Sequence, residues 1–115
     1  MKPNPIKEKS FDFAVGIVNL YQELTTEKKE FVMSRQLLKS ATSIGANVRE
    51  AEFAQSKADF TNKMSISLKE ANETDYWLDL LHATNYLDSK EFDKFKLKSQ
   101  ELLRLLVSIV KSSKL

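Results

Sequence analysis

Cysteine is absent from the 115 residues, which excludes a disulfide framework, a thiolate metal site and a cysteine nucleophile. Glycine and proline are almost absent too, with two of each, and both prolines fall within the first five residues. An all-β sandwich or barrel needs many tight turns, so this shortage argues against one. No apolar run is long enough to cross a bilayer, and the opening MKPNPIKEKS has no apolar signal-peptide stretch. Histidine occurs once. The net charge of +2 is too small to imply nucleic-acid binding by itself. These shortages leave a soluble, cytoplasmic, all-α chain of one domain, large enough to bury a single core.

What is present is helical periodicity. Pro3 and Pro5 predict an extended leader over residues 1–7, with the folded domain occupying residues 8–115. Over residues 8–24, Phe11, Ala14, Ile17, Val18, Tyr21 and Leu24 follow the spacing of one helix face. The polar run TTEKKE interrupts it. Ser34 then suits the N-cap of a second helix, whose inner face is Leu37, Ala41, Ile44, Val48 and Ala51. Ser56 and Asp59 form a capping arrangement for a third helix with the stripe Phe60, Met64, Leu68, Ala71, Leu78 and Leu81. After a short link around Asn85, Asp88 and Glu91 repeat that arrangement. They open a fourth helix that buries Phe92, Phe95, Leu102, Leu103, Leu106, Ile109 and Val110. Short links make sequential helices antiparallel, so the expected fold is an up-down-up-down four-helix bundle. The competing arrangement has three helices, the second and third running on through AEFAQSKADF.

The second helix gives up volume at Ser40, Ala41, Ser43 and Gly45. Gly45 costs about 1 kcal/mol of helix propensity against alanine, which close approach of a neighbouring helix would offset. Asn47, at the edge of the inner face, is expected to hydrogen-bond within the bundle.

Several residues face the wrong way for a monomer. On the third helix Ile66, Trp77 and Leu80, with Tyr76 beside them, point away from the inner stripe, and Leu97 on the fourth projects opposite its buried face. Either the third helix is central and covered on two sides, or these residues meet another subunit; aligned apolar patches favour the subunit interface. The outer face of the second helix carries Arg35, Lys39, Thr42, Ala46, Arg49 and Phe53. The fourth adds Lys90, Lys94 and Lys98, with Glu101 continuing the line. A cationic face with an aromatic can hold a phosphate backbone, although ordinary solvated lysines give the same pattern.

Catalysis has little to work with. Asp79-x-x-His82, near Glu70 and Glu73, has the spacing used by carboxylate bundles that bind two metal ions, but those need a second such motif and there is no second histidine. Gly16 and Gly45 stand alone and form no phosphate-cradling loop. His82 is expected to be a packing residue near the surface, and neither metal nor cofactor is expected.

The stretches KSATSIGANVREAE and SKADFTNKMSISLKEANETDYWLDLL carry two fingerprints, SIGAN at residues 43–47 and LKEANETDYWL at residues 68–78. Over residues 6–110 the chain resembles the four-helix bundle proteins encoded within intervening sequences of bacterial 23S ribosomal RNA genes. That family is itself similar to the accessory variability protein of diversity-generating retroelements. The resemblance implies a bundle that assembles into a five-fold ring. From the retroelement relatives it further implies a basic surface contacting RNA or DNA and a reverse-transcriptase partner. It places Ser43, Gly45, Asn47, Glu70, Asn72, Glu73, Tyr76 and Trp77 at packing positions and implies no catalytic residue. The net charge of +2 departs from the strongly basic retroelement proteins. Three functions are therefore carried forward: an oligomeric nucleic-acid binder, an adaptor for a reverse transcriptase or ribosome-associated protein, and a metal enzyme around Glu70, Glu73, Asp79 and His82.

Overall fold

The computed structural model describes residues 4–115, which form four α-helices: α1 (Pro5–Thr26), α2 (Met33–Ala51), α3 (Lys57–Ala83) and α4 (Ser89–Ser113). No strand occurs among the described residues. No helix among them is long and apolar enough to cross a membrane. The break at residues 52–56 separates α2 from α3 and rules out the three-helix arrangement.

The helix starts follow capping chemistry. The Ser56 side chain accepts from the Asp59 backbone N–H at 3.0 Å and Asp88 accepts from that of Glu91 at 2.8 Å, as the two Ser/Asp-x-x-acid signals require. Two expectations need correction. The extended leader does not reach residue 7: α1 begins at Pro5, capped by the Asn4 side chain, which accepts from Lys7 N–H at 3.3 Å. Proline at the first helical position loses no intrahelical bond there. The part of the leader at residues 1–3 lies outside the described residues.

Ser34 is not the cap of α2. It lies inside the helix, and its hydroxyl donates to the Glu30 carbonyl at 2.8 Å. The Glu30 carboxylate does the capping instead, accepting backbone N–H bonds from Val32, Met33 and Ser34 at 3.0, 2.8 and 2.8 Å. One charged group satisfies three orphan donors and sits at the positive end of the helix dipole. Burial alone would raise the Glu30 pKa, but the bonds from Ser34, Met33 and Val32 outweigh it and hold the carboxyl below the ordinary glutamate range. A lowered folded-state pKa gives stability that is present above that range and lost as the pH falls through the folded value. Glu30→Ala is expected to cost about 2 kcal/mol at neutral pH. In urea titrations the gap between wild type and variant should close as the solution is acidified; a gap constant from pH 7 to pH 3 would refute the charge-dependent cap.

α2 and α3 pack closely, and each of them also packs on one further helix: α2 on α1, α3 on α4; α1 and α4 close the fourth side. The diagonal pairs, α1 with α3 and α2 with α4, are out of backbone contact. The start of α1 meets the end of α2 through Lys7 and Glu52 (3.0 Å), and Ser40 in the first half of α2 meets Thr74 in the second half of α3 (2.8 Å). Thr61 near the start of α3 bonds Ser113 at the end of α4 at 2.9 Å.

The small residues of α2 sit where helices approach most closely. A Cβ on Gly45 would lie 3.3 Å from the Ser10 hydroxyl and 3.5 Å from its carbonyl oxygen, so α1 occupies the space that the glycine leaves. On the other flank the Ser67 hydroxyl reaches across to the Ile44 carbonyl at 2.9 Å. Asn47 donates to the Ser43 carbonyl at 2.8 Å, within its own helix. No buried side-chain polar atom among the described residues lacks a partner.

The inner face of α2 is as expected, and that of α4 nearly so, with Phe92, Leu103 and Ile109 half-buried at its margin. That of α1 is not. Ile6, Ser10, Phe13, Ile17, Leu20 and Leu24 are buried, whereas Phe11 and Val18 are exposed. Both sets have helical spacing. The register with Ser10 inside buries five large apolar residues and sets the small Ser10 side chain against Gly45. On α3, Ser67 and Thr74 are buried beside the expected apolar residues, while Phe60 and Leu68 lie at the margin.

Candidate nucleic-acid interface

Arg35, Lys39 and Arg49 of α2 are exposed, as are Lys90, Lys94 and Lys98 of α4. They do not form one surface, because α2 and α4 are diagonal. The two clusters have to be judged separately.

On α2, Arg49 is drawn towards α1, its guanidinium 6.0 Å from the centre of the Phe11 ring. Glu8, Asp12 and Glu52 line the same groove. A phosphate reaching Arg49 therefore meets carboxylates as well, which cancels most of the attraction. Phe53, at the end of this face, is 82% exposed.

The face of α4 is cleaner. Lys90, Lys94 and Lys98 are followed along it by Arg104, which the sequence reading did not single out. None of the four is in an ion pair among the described residues. Glu101, the acid among them, is bound at 3.2 Å by Lys9 of α1, so its charge is already compensated. Asp93 is a further exposed acid on α4, and Asp12 of α1 lines a cleft with Lys98. Lys90 to Arg104 spans roughly 21 Å at 1.5 Å per residue, room for several phosphates in succession.

Lys96, of the same run, points elsewhere. Its ammonium lies 2.6 Å from Asp75 and 2.8 Å from Asp79 of α3, and Ser99 and Gln100 donate to Asp75 as well. Burial alone would lower the Lys96 pKa, but the bonds to and charges of Asp75 and Asp79 outweigh it and raise it. This lysine fastens α4 to α3.

That clamp also occupies half of the Asp79-x-x-His82 pair. The His82 ring stacks on Phe92 with centroids 4.1 Å apart and planes 9° from parallel, the packing role expected of it. Glu73 accepts from the Trp77 indole N–H at 3.1 Å. No cluster of three or more metal-ligating His, Asp or Glu side chains occurs among the described residues.

Of the apolar outliers, Tyr76 is 57% exposed and Leu97 71%. Ile66, Trp77 and Leu80 are half-buried; Trp77 packs against the core on one edge and meets Tyr76 edge-on, with centroids 5.1 Å apart. Helix α3 packs on α2 and α4 and keeps a partly exposed apolar strip on its outer side. The structure adds an apolar line that periodicity alone did not reveal as exposed: Phe11, Val15 and Val18 on the outer side of α1.

The sequence model of the 23S rRNA-intervening sequence proteins matches residues 2–108. The chain belongs to that family. No curated protein matches it. Among solved structures it is similar to a protein of unknown function from the S23 ribosomal protein family of Bacteroides thetaiotaomicron VPI-5482. That protein is 58% identical, with a TM-score of 0.91, over 92% of this chain and 98% of the other. At that identity a shared fold follows. The relative's own function is unknown, so the site residues of this intervening-sequence protein have to be argued from its own surface.

Proposed function

We propose that this intervening-sequence protein is a non-enzymatic, antiparallel up-down-up-down bundle that assembles with copies of itself into a ring of five. In this reading it binds structured RNA or DNA through the outer face of α4. The antiparallel course is supported by the pairing of helix starts with helix ends described above. Self-assembly is supported by the aromatic and aliphatic residues left on the outside of α1 and α3. The observation that carries the nucleic-acid reading is the group Lys90, Lys94, Lys98 and Arg104 spread over the outer side of α4, exposed and free of ion pairs among the described residues. One such group is a weak site. Five copies on one assembly raise the effective concentration of each further contact and compensate for the low charge per chain.

Fluorescence polarisation with labelled hairpin RNA and duplex DNA tests this. Binding is expected at low salt, with the logarithm of the association constant falling linearly against that of the salt concentration. A slope of about −3 corresponds to four phosphate contacts at roughly 0.7–0.9 each. No association with either probe at low salt would overturn the proposal.

A second reading has its own support: Leu97, 71% exposed among these cations, is placed to dock a protein. The protein would then be an adaptor for a reverse transcriptase or a ribosome-associated partner, with no contact to nucleic acid.

A further inference from the structure

We infer that the outer face of α1 on one copy docks against the outer face of α3 on the next, a head-to-tail contact between two different surfaces. The inference rests on the self-assembly proposed above and specifies which faces meet.

Helix α1 presents Phe11, Val15 and Val18, which are 55%, 48% and 37% exposed and lie at i, i+4 and i+7 on one line. Helix α3 presents Tyr76, 57% exposed, with Ile66, Trp77 and Leu80 partly exposed beside it. The two helices are diagonal and out of contact, so the faces lie on opposite sides of the bundle. A surface that paired with itself would require one such face; two on opposite sides suit a contact that propagates from copy to copy.

Charge and height both match. Arg35 and Lys39 continue the outer face of α2, whose Thr42, Ala46 and Arg49 line a cleft with Phe11. Glu70 and Glu73 stand on α3 near Ser67 and Thr74, which reach α2. None of Arg35, Lys39, Glu70 and Glu73 is in an ion pair among the described residues. The Thr74–Ser40 hydrogen bond sets Lys39 and Glu73 at one level of the bundle. Further along, Ser10 against Gly45 and Ser67 against the Ile44 carbonyl set Phe11 level with the Ile66 turn. There Lys69 of α3 would find Glu8 and Asp12 of α1. Juxtaposed copies therefore oppose apolar to apolar and cation to carboxylate at matching heights, which fixes register as well as partner.

The test uses two variants of the full chain, each spoiling one face, at the exposed Phe11, Val15 and Tyr76 and the half-buried Leu80. Phe11→Glu/Val15→Glu removes the α1 face and Tyr76→Glu/Leu80→Glu the α3 face. By light scattering after gel filtration, wild type should be oligomeric and each variant alone monomeric. An equimolar mixture should form a heterodimer and nothing larger, because one intact pair of faces remains. Circular dichroism checks that both variants keep their helices; if either does not, Val15→Gln and Tyr76→Gln provide the same comparison. If wild type assembles but a helical variant assembles as wild type does, or the mixture stays monomeric, this pairing is overturned while self-assembly stands. A monomeric wild type overturns both.

Discussion

Gly45→Leu is expected to lower the free energy of unfolding by about 3 kcal/mol and the midpoint of thermal unfolding by about 10–15 °C. The reason is the approach of α1. A Cβ at position 45 already meets the Ser10 hydroxyl at 3.3 Å and the Ser10 carbonyl carbon at 3.6 Å. A methyl group needs the hydroxyl to move by a few tenths of an ångström, and alanine returns about 1 kcal/mol of helix propensity. Gly45→Ala should therefore be close to neutral, and Ser10→Ala should make it stabilising. Leucine has no such escape, because the atoms behind the hydroxyl are the backbone of α1. Ser10→Ala should not rescue it. Urea unfolding followed by circular dichroism reads all four variants, and a Gly45→Leu protein as stable as wild type would show that α1 and α2 can separate without loss.

The same contact explains where sequence reading of the fold stopped. The family fingerprint SIGAN and the thinning of side chains across α2 pointed to a close helix neighbour, and Ser10 is that neighbour. The identity of the partner was not legible, because on α1 two registers have equally good helical spacing. One gathers Phe11, Ala14, Ile17, Val18, Tyr21 and Leu24; the other Ile6, Ser10, Phe13, Ile17, Leu20 and Leu24. The second register is at least as apolar, with Ile6, Phe13, Ile17, Leu20 and Leu24, but the serine within it disguised it; the structure buries Ser10 at 1% exposure against Gly45. The error propagated to the surface. Phe11 and Val18, assigned to the core, are part of the exposed line on α1. A parallel case is Glu30, hidden in the polar run TTEKKE, which reaches three backbone donors of α2 from outside the helix. Ser34, a stronger residue type for an N-cap, made the wrong boundary attractive. On the functional side, both groups of cations were visible as helix-face patterns. Only the neighbours of each group separate them: Glu8, Asp12 and Glu52 around Arg49 in one case, and in the other Asp12 beside Lys98 and Glu101 already held by Lys9.

That separation yields the largest expected effect on binding. Replacing Lys90, Lys94, Lys98 and Arg104 together by glutamine should lower affinity for hairpin RNA or duplex DNA on the order of 100-fold at low salt and flatten the salt dependence by about 3 units of slope. All four side chains are exposed and free of ion pairs among the described residues, so the helical content and the oligomer mass should not change. Lys96 is left in place because its bonds to Asp75 and Asp79 hold α4 against α3; its loss would confuse binding with folding. Polarisation titrations across a salt series measure both quantities. Unchanged affinity with an unchanged slope would remove the α4 face from the interface. Under the adaptor reading, capture of a protein partner should survive the four substitutions and fall with Leu97→Lys, since an exposed leucine stem contributes by burial and a lysine there cannot desolvate its charge. The two readings thus predict opposite rankings of the same two proteins, and the ranking turns on the outer face of α4, where Lys9 already holds Glu101.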